Sequence, residues 1–358
     1  MATMLEYKCP SCGGALSFDS QLQTVKCPYC DTEFDMEALR ELDAVLEQPP
    51  QDDMNWQKQP GENWQTQEQD GLCSFICQSC GGELICEETT AASSCPYCGN
   101  PVIMTERLSG ALRPDLVIPF KLDKAAAKAA LKNHFKGKPL LPKTFKTENR
   151  LEQLQGIYVP FWLFDADADA DIRYKATRIS VWSDSKYNYT KTSFYSIHRA
   201  GSLGFSGVPV DGSQKMDDTL MESLEPYDLT QAVDFQTAYL AGYLADRYDV
   251  GVDNCINRAN QRIKTSTENA FKETVIGYNT VIPQTSAVQL KNSKVSYALL
   301  PAWILNTKYK GKDYMFAMNG QTGKFVGNLP VNWGAFWGWF LGIAAAVTAV
   351  AFGISCLF

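Results

Sequence analysis

Eight cysteines are the residues in this chain whose type and spacing best fit chemistry. They form two sets with one pattern, C-x2-C-x14-C-x2-C: Cys9, Cys12, Cys27 and Cys30, then Cys77, Cys80, Cys95 and Cys98. A C-x2-C pair makes a tight knuckle that aims two sulfurs at one point. Two knuckles on a β-hairpin can then close a tetrahedron of thiolates around zinc. The flanks repeat as well: Cys9-Pro-Ser-Cys-Gly-Gly matches Cys77-Gln-Ser-Cys-Gly-Gly, and Cys27-Pro-Tyr-Cys matches Cys95-Pro-Tyr-Cys. The glycines after each first knuckle relieve crowding where backbone amides approach sulfur. Two structural zinc ions are expected, with no open coordination position for metal catalysis. A rubredoxin-type iron site would set its cysteine pairs further apart, and a redox C-x2-C would open a helix beside a parallel sheet. Cys73, Cys86, Cys255 and Cys356 lie outside the pattern.

Other motifs offer less. Asp165, Asp167, Asp169 and Asp171 alternate with alanines, so a strand would align four carboxylates on one face. An EF-hand would need Gly and Glu where Ala170 and Ala176 stand, and a solvated strand face is the favoured interpretation. Gly320-Gln-Thr-Gly-Lys324 has the wrong glycine spacing for a phosphate loop and is expected to be a turn. Gly204-Phe-Ser206-Gly does not match a nucleophile elbow. His134 and His198 are the two histidines, and neither joins an acid–base constellation. Trp56 and Trp64 repeat within Asn55-Trp-Gln and Asn63-Trp-Gln, in a stretch otherwise poor in apolar side chains. They are candidates either to capture a partner or to fold back onto the chain.

The elements that position these residues separate by composition. The first ribbon occupies 5–34, followed by a short helix over 35–48 with Asp35 as N-cap. A polar linker fills 49–71, the second ribbon 73–104, and an α+β domain 110–330. Within that domain Asp123 should cap a helix over Ala125–Phe135, and Thr147 another ending at Gly156. Strands are expected over Ile157–Ile172 and Lys186–Ile197, helices over 231–246 and 253–274, then strands with turns at Gly311, Gly320 and Gly323. Mostly antiparallel pairing is expected. Tyr158-Val-Pro-Phe-Trp-Leu echoes Leu299-Leu-Pro-Ala-Trp-Ile, either as two related halves or as two unrelated buried strands.

From Trp333 to Phe358 no residue is charged. As a helix, 333–358 would reach about 39 Å, enough for a hydrocarbon layer of about 30 Å. Trp333, Trp337 and Trp339 cluster at its start like an interfacial belt. At the chain's end this segment is expected to act as a tail anchor. Lys312 and Lys324 precede it, which argues for a single pass of the cell membrane with the N-terminal bulk in the cytoplasm. Gly334, Gly338 and Gly342 recur every fourth residue with Ala346 in register, a stripe that could pair with a second membrane protein or another copy.

The chain has 358 residues, 45% hydrophobic and 20% charged, a globular composition with a net charge of -7. That charge argues against a general nucleic-acid binder, because phosphate neutralisation needs clustered Lys and Arg. The densest cluster, Lys136 to Lys146, holds four lysines. No apolar signal segment precedes Cys9, and the repeated spacing favours metal-bound thiolates in a reducing compartment over disulfides.

With the eight cysteines, the Trp-containing Tyr158–Phe164 and Leu299–Leu305 segments, Tyr239-Leu-Ala-Gly-Tyr243 and the terminal helix, the chain resembles the bacterial YdjG-like family. These are membrane-anchored double zinc-ribbon proteins, some labelled as TFIIB-type zinc-ribbon proteins or primosomal helicases. The chain carries neither a Walker A sequence nor a DEAD-type motif, so the helicase label has no support here. The resemblance implies a scaffold in phage-shock-type envelope stress, alongside PspA-like and SPFH (flotillin-like) partners. The leading expectation is a non-enzymatic, tail-anchored adaptor that recruits cytosolic proteins to the membrane. The alternatives are a membrane-tethered nucleic-acid-binding regulator or replication factor, and a hydrolase with its site in the α+β domain.

Overall fold

The structure is a computed structural model that describes residues 8–9, 12, 14–20, 24–37, 39, 51–57, 60, 62–64, 72–87, 94–107, 112–142, 145, 153–216 and 218–355. Strands β1 (Ser17–Asp19), β2 (Thr24–Lys26) and β3 (Glu33–Phe34) form a three-stranded antiparallel sheet in the first ribbon. Strand β4 (Glu62–Asn63) follows, and the second ribbon supplies β5 (Leu72–Ile76), β6 (Glu83–Glu87) and β7 (Ile103–Arg107). Next come β8 (Leu112–Arg113), which pairs back on β4, β9 (Leu116–Val117) and helix α1 (Lys124–Phe135). Two long strands, β10 (Gln155–Ser183) and β11 (Asn188–Asp211), pair with each other before the short helix α2 (Asp218–Leu224). The chain continues through β12 (Val233–Asp234), β13 (Leu244–Asp246), helix α3 (Val252–Glu273) and the long β14 (Thr280–Tyr309). It closes with β15 (Lys312–Asn319), β16 (Phe325–Gly327) and helix α4 (Trp333–Ser355).

Two compact units divide the chain. One holds Met1–Lys58, Asp165–Val208 and Arg258–Lys294. Its core alternates along β10: Ala166, Ala168, Ala170 and Ile172 are buried together with Ile263 of α3. Small side chains at every second position let a helix lie close to the strand. Residues 51–57 belong to this core rather than to a free linker. Asp53 bridges Gln289 in parallel, its N–H donating to Val288 and its carbonyl accepting from Leu290.

The other unit holds Gln59–Phe164, Pro209–Asn257 and Val295–Phe358. Its sheet runs β12-β9-β14-β10-β13-β6-β5-β7, with β15 and β16 added beside β14. β9 with β12, β6 with β13, β14 with β15, β15 with β16, and β5 with both β6 and β7 pair antiparallel, whereas β10 with β13 and β14 with β9 pair parallel. The architecture is therefore two N-terminal four-cysteine modules, a mixed, largely antiparallel α+β domain and one long apolar C-terminal helix. The second ribbon is built into the large sheet through β6 and β13, where Ala245 pairs Ile85 and Asp246 pairs Leu84.

Helix α1 starts as its sequence dictates: the Asp123 carboxylate accepts from the Ala126 N–H at 2.7 Å, a cap worth about 1 kcal/mol. Asp35 likewise accepts from Glu37, opening a helical turn that buries Leu39; the rest of 35–48 lies outside the described residues. The expected helix from Thr147 also lies largely outside them, and its proposed end, Gly156, sits in β10 instead. A Cβ there would meet the Tyr243 ring at 2.7 Å.

One expectation fails outright. Residues 231–246 do not form a helix but two 3-10 turns, Leu229–Gln231 and Thr237–Leu240, with β12 and β13. Asp228 caps the first of these turns, and Gly242 takes a left-handed φ of 78° that a helix cannot contain.

The two Pro-x-Trp strands lie side by side as β10 and β14. Each proline carbonyl accepts from a glycine: Gly212 donates to Pro160 and Gly320 to Pro301. Each glycine follows an Asx side chain that caps the next turn, Asp211 accepting from Ser213 N–H and Asn319 from Gln321 N–H. Each tryptophan donates to a carbonyl, Trp162 to Val250 and Trp303 to Leu122. The echo is thus a repeated hairpin with the same internal bonds. Gly320 is the expected turn, closed too tightly for any side chain: a Cβ would lie 2.7 Å from Phe120.

Candidate metal centres

Within each cysteine set all four sulfurs lie within 4.8 Å of one another. Cross-knuckle sulfur distances are 3.6 Å (Cys9–Cys30) and 3.5 Å (Cys12–Cys27) in the first ribbon. In the second they are 3.4 Å (Cys77–Cys98) and 3.6 Å (Cys80–Cys95). A tetrahedral zinc with bonds of about 2.3 Å separates its sulfurs by about 3.8 Å, so both sets fit the ion with small adjustment.

All four knuckles share one backbone hydrogen bond. The N–H of the first cysteine donates to the carbonyl five residues on: Cys9 to Gly14, Cys27 to Thr32, Cys77 to Gly82 and Cys95 to Asn100. Gly81 and Gly99 close the second ribbon's knuckles at φ of 68° and 73°. Asp31 takes the same left-handed place at φ 55° in the first ribbon, its carboxylate 3.3 Å from Lys26. Backbone conformation is thus the reason for glycine at Gly81 and Gly99, whereas at Gly14 it is crowding, by the Tyr29 ring.

In the absence of metal the electrostatics favour the thiolate at Cys30 and Cys77 and oppose it at Cys80 and Cys95, which burial pushes up. The Thr32 hydroxyl and then its N–H bring the Cys30 thiol down to about 6. Burial opposes ionisation of Cys77, but the N–H groups of Cys80 and Ser79 bring it down to about 7. Cys86, facing Cys73 across the β5–β6 ladder, is pushed up to about 11, by burial foremost. Neither forms a disulfide, nor does buried Cys255; Cys356 lies outside the described residues.

The second ribbon sits on a buried polar cluster that the sequence did not announce. Tyr97, between Cys95 and Cys98, turns its hydroxyl toward the Asp246 carboxylate without a well-aligned hydrogen bond. Asp246 accepts from the Ser213 hydroxyl at 2.6 Å and is pushed up to about 7, by burial foremost. Lys215 donates to the Cys80 carbonyl at 3.0 Å and lies 3.4 Å from Asp249. The signal that could have revealed this cluster was the match of Asp211-Gly-Ser to Asn319-Gly-Gln, an extension of the Pro-x-Trp echo. Beside the same knuckle an open cleft of about 460 Å³ is lined by neutral groups, among them Asn100, Gln153, Gln155 and Asn306.

The other candidates are placed as follows. Trp56 donates to Asn260 at 2.9 Å within the first unit's core, and Trp64 stacks edge-on against Phe235 at 5.7 Å. Both are half-buried, so folding back onto the chain is what the structure shows. The aspartate row is only half-exposed and its carboxylates are engaged. Asp165 accepts from Gly207 N–H and Asp167 from Asn292, while Lys291 lies against Asp169 and His198 lies 3.0 Å from Asp171. Protein groups thus engage all four carboxylates of the row. His134 packs against Phe325 with Lys138 beside it.

Helix α4 is, among the described residues, the one helix long and apolar enough to cross a membrane: Trp333–Ile354, 22 residues, none of its most apolar window buried against the rest. Asn332 caps it, accepting from Gly334 and Ala335. Gly338 and Gly342 face open space.

No family model matches the chain, and no solved structure matches it. An uncharacterized protein of Bacillus subtilis strain 168, YdjG, is 35% identical over 342 residues, which is 95% of this chain and 94% of the relative. On an alignment of that extent the chain belongs to the YdjG-like family.

Proposed function

We propose that this membrane-anchored protein, with its two structural zinc modules and α+β domain, is a non-enzymatic adaptor that recruits cytosolic proteins to the membrane. The observation that carries this reading is the pairing of two closed four-cysteine sites with an apolar helix left wholly uncovered. A site with four protein ligands offers zinc no substrate position, so the metal's contribution is a rigid loop surface. The helix places that surface at the bilayer, with the N-terminal bulk in the cytoplasm. The acidic net charge of -7 fits protein rather than nucleic-acid partners.

The partners we infer are PspA-like or SPFH proteins of an envelope-stress system. The test is the distribution of a fluorescently tagged PspA-like protein from the same cell. It should move from membrane to cytosol when the gene is deleted and when α4 is removed. Equal membrane residence in all three strains would overturn the adaptor reading.

A further inference from the structure

The two ribbons are copies of one module set in different surroundings. Lys8 pairs Ala15 as Ile76 pairs Glu83, and Lys26 pairs Glu33 as Ser94 pairs Pro101. In both, the knuckle tyrosine lies over the second glycine of the facing knuckle. A Cβ on Gly14 would come within 2.6 Å of Tyr29, and one on Gly82 within 3.5 Å of Tyr97. Each ring therefore rests against a glycine of its own ribbon.

The faces around those rings differ in what covers them. Tyr97 is 4% exposed and lies in one core cluster with Leu84 and Cys86, both fully buried. Its hydroxyl faces Asp246, and its carbonyl accepts from Asn306. The matching residues of the first ribbon are Leu16, Phe18 and Tyr29. Leu16 is half-buried, Phe18 is 55% exposed and Tyr29 is 76% exposed.

We propose that the face of the first ribbon carrying Leu16, Phe18 and Tyr29 is a protein-docking surface, whose partner is a folded protein offering an apolar socket floored by a carboxylate. The second ribbon shows what this module does when docked: the aliphatic strand face packs and the phenol turns to an acid. A ring that already rests against its own ribbon has less conformational freedom to lose on binding, and tyrosine is enriched among residues that dominate interfaces. A second copy of this chain is a poor occupant, because its Asp246 socket already holds its own Tyr97. The inference rests on the adaptor reading and identifies the surface that would hold the recruited protein.

The test uses the full-length protein in native membranes with the photo-crosslinker p-benzoylphenylalanine at position 29, and a control at exposed Tyr187. Zinc content of two ions per chain verifies that the ribbons remain folded. The expected result is one discrete protein adduct from position 29 and none of that size from position 187. Its attachment site should lie beside an Asp or Glu whose amide replacement lowers the yield about tenfold. Tyr29→Ser should then lower the membrane-bound fraction of that protein about tenfold, and Tyr29→Phe about threefold. No adduct, an adduct with the chain itself, or an attachment site without an acid would overturn the proposal. If the captured protein stays at the membrane in Tyr29→Ser but leaves when the gene is deleted, this surface is wrong and the adaptor reading stands. If it stays in both strains, the adaptor reading falls with it.

Discussion

Ser213 donates its hydroxyl to Asp246 at 2.6 Å, and each side chain is only 1% exposed. One hydrogen bond does not compensate a carboxylate for leaving water, and burial pushes the Asp246 pKa up to about 7 from an ordinary 3.8. The folded state thus holds this proton more tightly than the unfolded chain. Its stabilising contribution is complete below about pH 4 and is lost as pH rises through about 7. Asp246→Asn removes that dependence while leaving an acceptor for Ser213. The variant should melt several degrees above the wild type at pH 8, with a smaller gap at pH 5.5, in thermal scans of the zinc-loaded protein. Equal gaps at both values would show that ionisation of Asp246 costs nothing.

Trp56 should behave as a core residue. Its indole bonds Asn260, Asn260 in turn donates to the Met54 carbonyl, and Ser293 accepts from Gln57 N–H and donates to Asn55 O. Trp56→Ala removes the ring and strands Asn260, at a cost of about 2–3 kcal/mol in chemical denaturation. A loss below about 0.5 kcal/mol would mean the segment 51–57 is not held by this side chain.

The two zinc ions should matter unequally. Cys95 lies in the cluster shared by Leu84, Ile157 and Leu300, whereas Cys27 belongs to a ribbon with its own three-stranded sheet. Cys95→Ser should therefore lower the main thermal transition and open the α+β domain to limited proteolysis. Cys27→Ser should leave the cleavage pattern beyond residue 59 unchanged. Each variant should hold one zinc by elemental analysis. Equal damage from both substitutions would contradict the unequal integration of the ribbons.

Much of this was legible because it depends on local chemistry. Knuckle spacing, the Asp123 cap and an uncharged C-terminal stretch each act over a few residues. What was hidden depends on pairing across the chain. The 49–71 segment reads as a linker because its side chains are polar, yet Asp53 is held by backbone bonds to Val288 and Leu290. The buried spacing of Phe235, Leu240 and Leu244 imitates a helix, while Gly242 and short pairings with β9 and β6 impose another path. The far part of β10, over 178–183, is exposed on both faces, so no alternation marks it as strand.

Gly338 offers the cleanest test of what α4 does beyond anchoring. A Cβ at Gly338 or Gly342 meets nothing within 4 Å, so a larger side chain fits the isolated helix without strain. Leucine also raises apolarity and helix propensity, so membrane insertion should be unchanged. Any effect of Gly338→Leu must then come from a second helix approaching the glycine stripe. Ala344→Leu, on the opposite side of the helix, is the control. If the stripe is a contact, Gly338→Leu should lower crosslinked dimer in lipid bilayers roughly fivefold, on the order of 1 kcal/mol, and Ala344→Leu should not. Equal crosslinking by both variants would place any association of this protein outside its membrane helix.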